Sequence, residues 1–225
     1  MSLSIYQDLV DDLVRDDTGK ITSSDRDDAI ARAIDRYSKD KPNLTVEDIT
    51  APGGHYINLP TGWQIGFSEL RAIEYPIGEF PPSLLHQDSF DLYRGPSGQQ
   101  IIIADAITSG QQLRVTFTTR HVVDMTQDTT PQTDREPISA WAAAFLLDQL
   151  ASLYSGDSDS TIQADSVDHN SKAAEYALRA KTLRKRYYDE LGIDPKRNVA
   201  AGVVVDFDQK DSQGRERLMH PDRYR

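Results

Sequence analysis

The chain has 225 residues, no cysteine, 38% hydrophobic residues and a formal net charge of −11. These figures exclude disulfides, zinc–thiolate centres and cysteine nucleophiles, and they fit folding in a reducing cytoplasm. There is no apolar run of about 18 residues, so no membrane-spanning helix is expected, and residues 1–12 lack the basic start and apolar stretch of a secretion signal.

The charge is unevenly spread. Residues 1–195 are acidic throughout, and only residues 196–225 carry an excess of basic side chains, at +2. Tight sequence-independent DNA binding needs several cations on one face to neutralise phosphates. An acidic body lacks them, and suits either plain solubility or a surface that DNA slides past.

Residues 4–16 place Ile5, Tyr6, Leu9, Val10, Leu13 and Val14 at helical spacing. Gly19 is the expected left-handed stop. Ser23 or Ser24 is expected to cap a second helix, with Asp25, Asp27 and Asp28 at its positive end and Ile30, Ala33, Ile34 and Tyr37 on its buried face. Pro42 closes it.

From Leu44 to Val123 the pattern changes to short β-forming runs separated by Gly and Pro. Strands are expected at 55–59, 70–75, 90–94, 100–104 and 113–119. The last, L-R-V-T-F-T-T, sets Leu113, Val115 and Phe117 on one face against Arg114, Thr116 and Thr118 on the other. That alternation is a one-side-buried antiparallel strand. Gly53-Gly54 and Gly95-Pro96-Ser97-Gly98 read as hairpin turns. Helices flank this region on both sides, so 44–123 reads as an inserted β-rich lobe in a helical body of 1–43 and 124–195.

After a polar connector at 124–135, Pro137 stands where the first helical turn tolerates proline. The run 138–154 is apolar on nearly every side, as in a helix surrounded by neighbours, and Trp141 and Phe145 are expected in its core. A polar loop follows. A fourth helix is expected over 166–191, with Ala173, Tyr176, Ala177, Ala180, Leu183, Tyr187 and Leu191 on its buried face. Gly192 and Pro195 end it. Residues 196–225 hold one strand-forming run, Val203-Val204-Val205-Asp206-Phe207, and end in His220-Pro221-Asp222-Arg223-Tyr224-Arg225. A lone strand needs a partner edge, so this segment reads as an extended docking arm. Val203, Val204, Val205, Phe207, Arg215, Arg217, Arg223, Tyr224 and Arg225 are its candidate partner contacts.

No catalytic or cofactor constellation is visible. Asp157, Asp159, Asp165 and Asp168 share a loop but lack the turn glycine and bidentate glutamate of a calcium-binding loop. None of His55, His86, His121, His169 and His220 is paired at metal-ligand spacing. No serine sits in a nucleophile elbow, and neither glycine-rich turn resembles a phosphate loop. Arg184-Lys185-Arg186 beside Tyr187-Tyr188 does not make one basic face, because alternate helical residues point different ways. The expectation is a protein with no catalytic residue, no cofactor and no metal.

The segments D-R-E-P-I-S-A-W-A-A-A-F-L-L-D-Q-L at 134–150, G-D-S-D-S-T-I-Q-A-D-S-V-D-H at 156–169 and A-L-R-A-K-T-L-R-K-R-Y-Y-D-E-L-G-I at 177–193 together resemble the head–tail adaptor, or head-completion, proteins of tailed bacteriophages. The helices at 4–38 fit the same order, so about half the chain carries the likeness. The lobe at 44–123 departs from the smallest, all-helical members. The order of helical and β-forming runs reads as an α+β fold: an antiparallel helical bundle or hairpin body, an inserted small antiparallel β-sandwich or barrel, and an extended C-terminal arm; the resemblance agrees with its helices and its arm. The resemblance implies a virion protein assembled in the host cytoplasm, in a neck ring of about twelve copies. Its partners would be copies of itself, the portal protein and the next neck or tail-completion protein. DNA would pass through the channel without sequence-specific binding, and no membrane would be involved. A second reading is another virion or tail-associated binding protein that recognises its target through the β-lobe. An enzyme ranks last.

Overall fold

The computed structural model describes residues 2–16, 19–96, 98–155 and 172–195. Met1–Ile193 form one compact unit and Asp194–Arg225 a second, of which only Asp194 and Pro195 are described. The fold is α+β. Helices α1 (Ser2–Val14) and α2 (Ser23–Asp40) come first. Six strands follow: β1 (Asn43–Thr50), β2 (Gly54–Ile57), β3 (Leu70–Glu74), β4 (Phe90–Gly95), β5 (Gly98–Ile107) and β6 (Gln112–Thr119). Helices α3 (Arg135–Ser155) and α4 (Lys172–Leu191) close the described part.

The helix ends follow local chemistry. Thr22, not Ser23 or Ser24, caps α2: its hydroxyl accepts from the Asp25 N–H, and the Asp25 carboxylate accepts from the Thr22 N–H. This reciprocal box satisfies two otherwise orphan donors. Helix α1 stops at Val14, and Arg15 takes the left-handed conformation at φ 48°. The Arg15 N–H still bonds the Asp11 carbonyl at 3.0 Å, so the helix stops before Gly19, which nevertheless takes the left-handed conformation expected of it, at φ 62°. Helix α4 ends at Gly192, φ 67°, where the Ile193 N–H reaches the Tyr188 carbonyl at 2.9 Å and the Gly192 N–H reaches Asp189. That pair of bonds caps the last turn and needs a residue free to take positive φ.

Helix α3 is the centre of the helical core. It packs against α1, α2 and α4, and Ile138, Ala140, Ala142, Ala143, Ala144, Leu146, Leu147 and Leu150 are buried. The small side chains at 142–144 let its neighbours approach closely. Tyr6 and Val10 of α1, Ile30 and Tyr37 of α2, and Ala180 and Tyr187 of α4 complete the core. Helices α3 and α4 run antiparallel: Glu136 meets Arg186, Trp141 meets Tyr187, and Tyr154 meets Tyr176. Two expectations fail here. Trp141 and Phe145 are half-buried, not enclosed. On α4 only Ala180, Tyr187 and Leu191 are buried, and Ala177 is exposed, because α4 has α3 on one side and little against the rest.

The strands form two antiparallel sheets, ordered β1-β6-β3 and β2-β5-β4. Their inward residues share a second apolar cluster: Ile57, Ile101, Ile103 and Ile107 from one sheet, and Ile73, Leu113, Val115 and Phe117 from the other. The expected alternation in β6 is observed, with Leu113, Val115 and Phe117 buried at the middle of its sheet. Strand β1 is not among the strands expected from the sequence. Leu44 and Val46 point out of the sheet, 62% and 55% exposed, so its apolar residues do not mark one buried face. Gly53-Gly54 is not a hairpin turn, since β1 and β2 belong to different sheets. The chain crosses between sheets there, with Gly53 at φ 104° and a Cβ position 3.1 Å from Ser109. The β4–β5 turn is the hairpin expected, with Gly95 opposite Gly98.

Candidate docking surfaces

The first site is structural, where the lobe meets the helices. Asn43 at the lobe's entry lies opposite Thr119 at its exit. Two residues on, His121 is buried against the Tyr37 ring, 4.9 Å between centroids. Its Nε2 lies 3.0 Å from the Lys41 carbonyl, and its Nδ1 lies 3.1 Å from Thr129. The His121 N–H donates to Ser38 Oγ, which itself donates to the Ile34 carbonyl. Beside it, Tyr37 and Lys41 both donate to Asp134, Tyr6 bonds Thr130, and Arg135 pairs with Asp128 at 2.8 Å. Burial pushes the Asp134 carboxyl up, but its hydrogen bonds from Tyr37, Lys41 and Thr133 outweigh this and hold it below the ordinary range. Burial and the bond to Asp134 push the Tyr37 hydroxyl up. These bonds tie the ends of the strand region to α2 and α3, so the junction stabilises the fold, although Arg135 Nε is buried there without a hydrogen-bond partner.

The second site lies on the outward stripe of α3, between α2 and α4. Arg32 stacks over the Phe145 ring, 4.6 Å to its centroid. Arg36 and Arg184 lie over Trp141, at 5.5 and 5.9 Å. Tyr187 and Tyr188 border Trp141 on the α4 side. Arg36 also pairs with Asp40, and Arg184 with Asp148. Arg32 is exposed and has no ion pair among the described residues. Guanidinium groups over partly open aromatic rings are the side-chain chemistry enriched at protein interfaces. Arg186, expected to be part of a basic run, is bound to Glu136 and Glu190 at 2.5 Å each; it straps α4 to α3.

The third feature is on the β-lobe. The loop after β3 carries Phe80, 99% exposed, with Leu84 close behind it and 64% exposed. Strand β1 is an edge. Its ladder runs to β6, and its other side has no backbone partner among the described residues.

Among the described residues, no group of three or more His, Asp and Glu could hold a metal ion, and no helix is long and apolar enough to cross a membrane. An open cleft of about 440 Å³ lies between the α1–α2 turn and Leu146, lined by Asp11, Asp16 and Arg26. A second of about 350 Å³ lies by His55, Asp88 and Asp91 on the β2-β5-β4 sheet. Neither holds a nucleophile paired with a base.

The expected arm contacts, Val203, Val204, Val205, Phe207, Arg215, Arg217, Arg223, Tyr224 and Arg225, lie outside the described residues, as do Asp157, Asp159, Asp165 and Asp168. The aromatic–arginine stripe is not among the sites expected from the sequence. Its sequence signal is Trp141 and Phe145 four apart, aligned with Arg32 and Arg36 four apart on another helix. No family model matches the chain, and no match is found among curated proteins.

Proposed function

We propose that the chain is a structural virion protein that forms a ring in the neck of a tailed bacteriophage. The ring joins the portal to the next neck or tail component and extends the DNA channel. In this reading the four helices form the bundle that packs side by side, and the two sheets form an inserted sandwich-like lobe. Residues 196–225 are the arm that reaches the portal. The acidic body would face DNA without gripping it, because it lacks a row of phosphate-neutralising cations.

The observation that carries this reading is the α3 stripe. A helix surrounded on three sides keeps two large aromatic rings half-open and layers them with arginines. A chain that worked alone would gain by burying those rings; a chain that packs against a partner leaves them available. The element order and the 134–150 and 177–193 segments support the same reading through their resemblance to adaptor proteins.

The test is co-sedimentation with portal-bearing heads. The full chain is expected to travel with the heads, and a chain ending at residue 197 is expected to stay folded but remain in the supernatant. Failure of the full chain to bind contradicts the reading. Normal binding by the truncated chain contradicts the role of the arm.

A further inference from the structure

We propose that the aromatic–arginine stripe is one half of a head-to-tail contact between copies of this chain, and that its other half is the outward face of α1. The inference rests on the ring reading and names the surfaces that would close the ring.

On α1, Ile5, Asp8 and Asp12 follow helical spacing on one exposed face. Ile5 is 39% exposed. Asp8 and Asp12 have no ion pair among the described residues, whereas their neighbour Asp11 is held by Arg26 at 2.5 Å. On the other side, Arg32 has no carboxylate partner among the described residues and lies over the Phe145 ring, beside the half-open Trp141. One surface thus offers an apolar side chain and two carboxylates without an ion pair among the described residues. The other offers aromatic rings and a guanidinium likewise without a carboxylate partner among the described residues. The two are complementary in charge and in apolar content.

The two surfaces lie on different sides of α3. Leu146 shares a cleft with Val14 and Arg15 at the end of α1, and at 3.6 residues per turn it lies roughly 140° around the helix from Trp141. A contact between two different patches is heterologous. Repeated by a pure rotation that divides the circle evenly, such a contact closes into a ring, which a self-complementary patch does not do. An acidic chain at net −11 resists unspecific self-association, so this cluster of arginines on its helical core gives the contact its register.

Charge reversal tests this directly, with masses read by sedimentation velocity and by single-molecule mass measurement. Both variants change exposed helical positions, so their folding is checked by circular dichroism. Arg32→Glu alone places two acids opposite each other, and Asp8→Arg alone places two bases. Each is expected to weaken self-association at least tenfold. Mixed one to one, they restore it. The carboxylate introduced at position 32 of one copy then meets the guanidinium introduced at position 8 of the next, and the unchanged Arg32 of the second variant meets the unchanged Asp8 of the first. A chain carrying both changes also recovers. Rings that form as readily in both single variants as in wild type overturn this contact and leave the adaptor reading standing. Reversals that weaken assembly but fail to rescue each other also overturn it. Wild-type protein that stays monomeric at every concentration overturns the contact and removes the support for a ring.

Discussion

The Tyr37 hydroxyl donates to the Asp134 carboxylate across 2.6 Å, tying α2 to the turn that starts α3. Lys41 reaches the same oxygen at 3.2 Å. The two residues stand 97 positions apart, and the whole β-lobe lies between them in the chain. This bond therefore closes the helical core behind the lobe.

Asp134 makes the stability of that closure depend on pH. Its folded-state pKa lies below the ordinary carboxylate value: burial alone would raise it, and the bonds from Tyr37, Lys41 and Thr133 outweigh burial. A carboxyl depressed in the folded state contributes stability above its unfolded pKa and loses it as pH falls through the folded value. Asp134→Asn is expected to cost about 1.5–3 kcal/mol at pH 7, the range for a hydrogen bond to a charged group. The difference in melting temperature from wild type is expected to shrink below about pH 4. A difference that stays constant from pH 7 to pH 3 contradicts this role.

Two phenylalanines separate core from surface. Phe117 is fully buried between the sheets, in contact with Trp63. Phe145 lies half-open under Arg32. Phe117→Ala is expected to cost about 3–5 kcal/mol in chemical denaturation, and Phe145→Ala clearly less. Equal costs would mean that the α3 stripe belongs to the core.

The lobe is expected to be separable from the helices. Leu44 lies opposite Thr118 across the β1–β6 ladder, so the chain can be closed there by a two-residue turn. Replacing residues 45–117 by Asn-Gly keeps His121 and its bonds to Ser38 and Lys41, and keeps the helical apolar cluster intact. A helical circular-dichroism signal and cooperative melting are expected to survive. Loss of both would mean that the two clusters fold as one. A cut extending through residue 123 is expected to do worse, because it removes His121 and leaves the Lys41 carbonyl and Ser38 without their partner.

The parts of this fold that are legible in the sequence are those where one residue pattern answers to one environment. In β6, Leu113, Val115 and Phe117 all face the same buried layer. In α2, Ile30, Ala33, Ile34 and Tyr37 are all buried, as their spacing implies. Strand β1 is hidden because it is an edge: Ile49 packs inward while Leu44 and Val46 face out. His121 is not legible either. Its partners stand at positions 38, 41 and 129, and only the folded chain brings them together. Trp141 and Phe145 read as core because large aromatics in an apolar helix usually are. What covers them is a set of arginine side chains from other helices, which hydrophobic periodicity does not register.

The central claim, that copies of this chain close into a ring on a portal, is tested most directly by the mass of the complex formed with isolated portal rings. One discrete species is expected, carrying about twelve copies per portal ring, the number that the resemblance to adaptor proteins implies for a closed ring. No complex, or a complex holding a single copy, would contradict it.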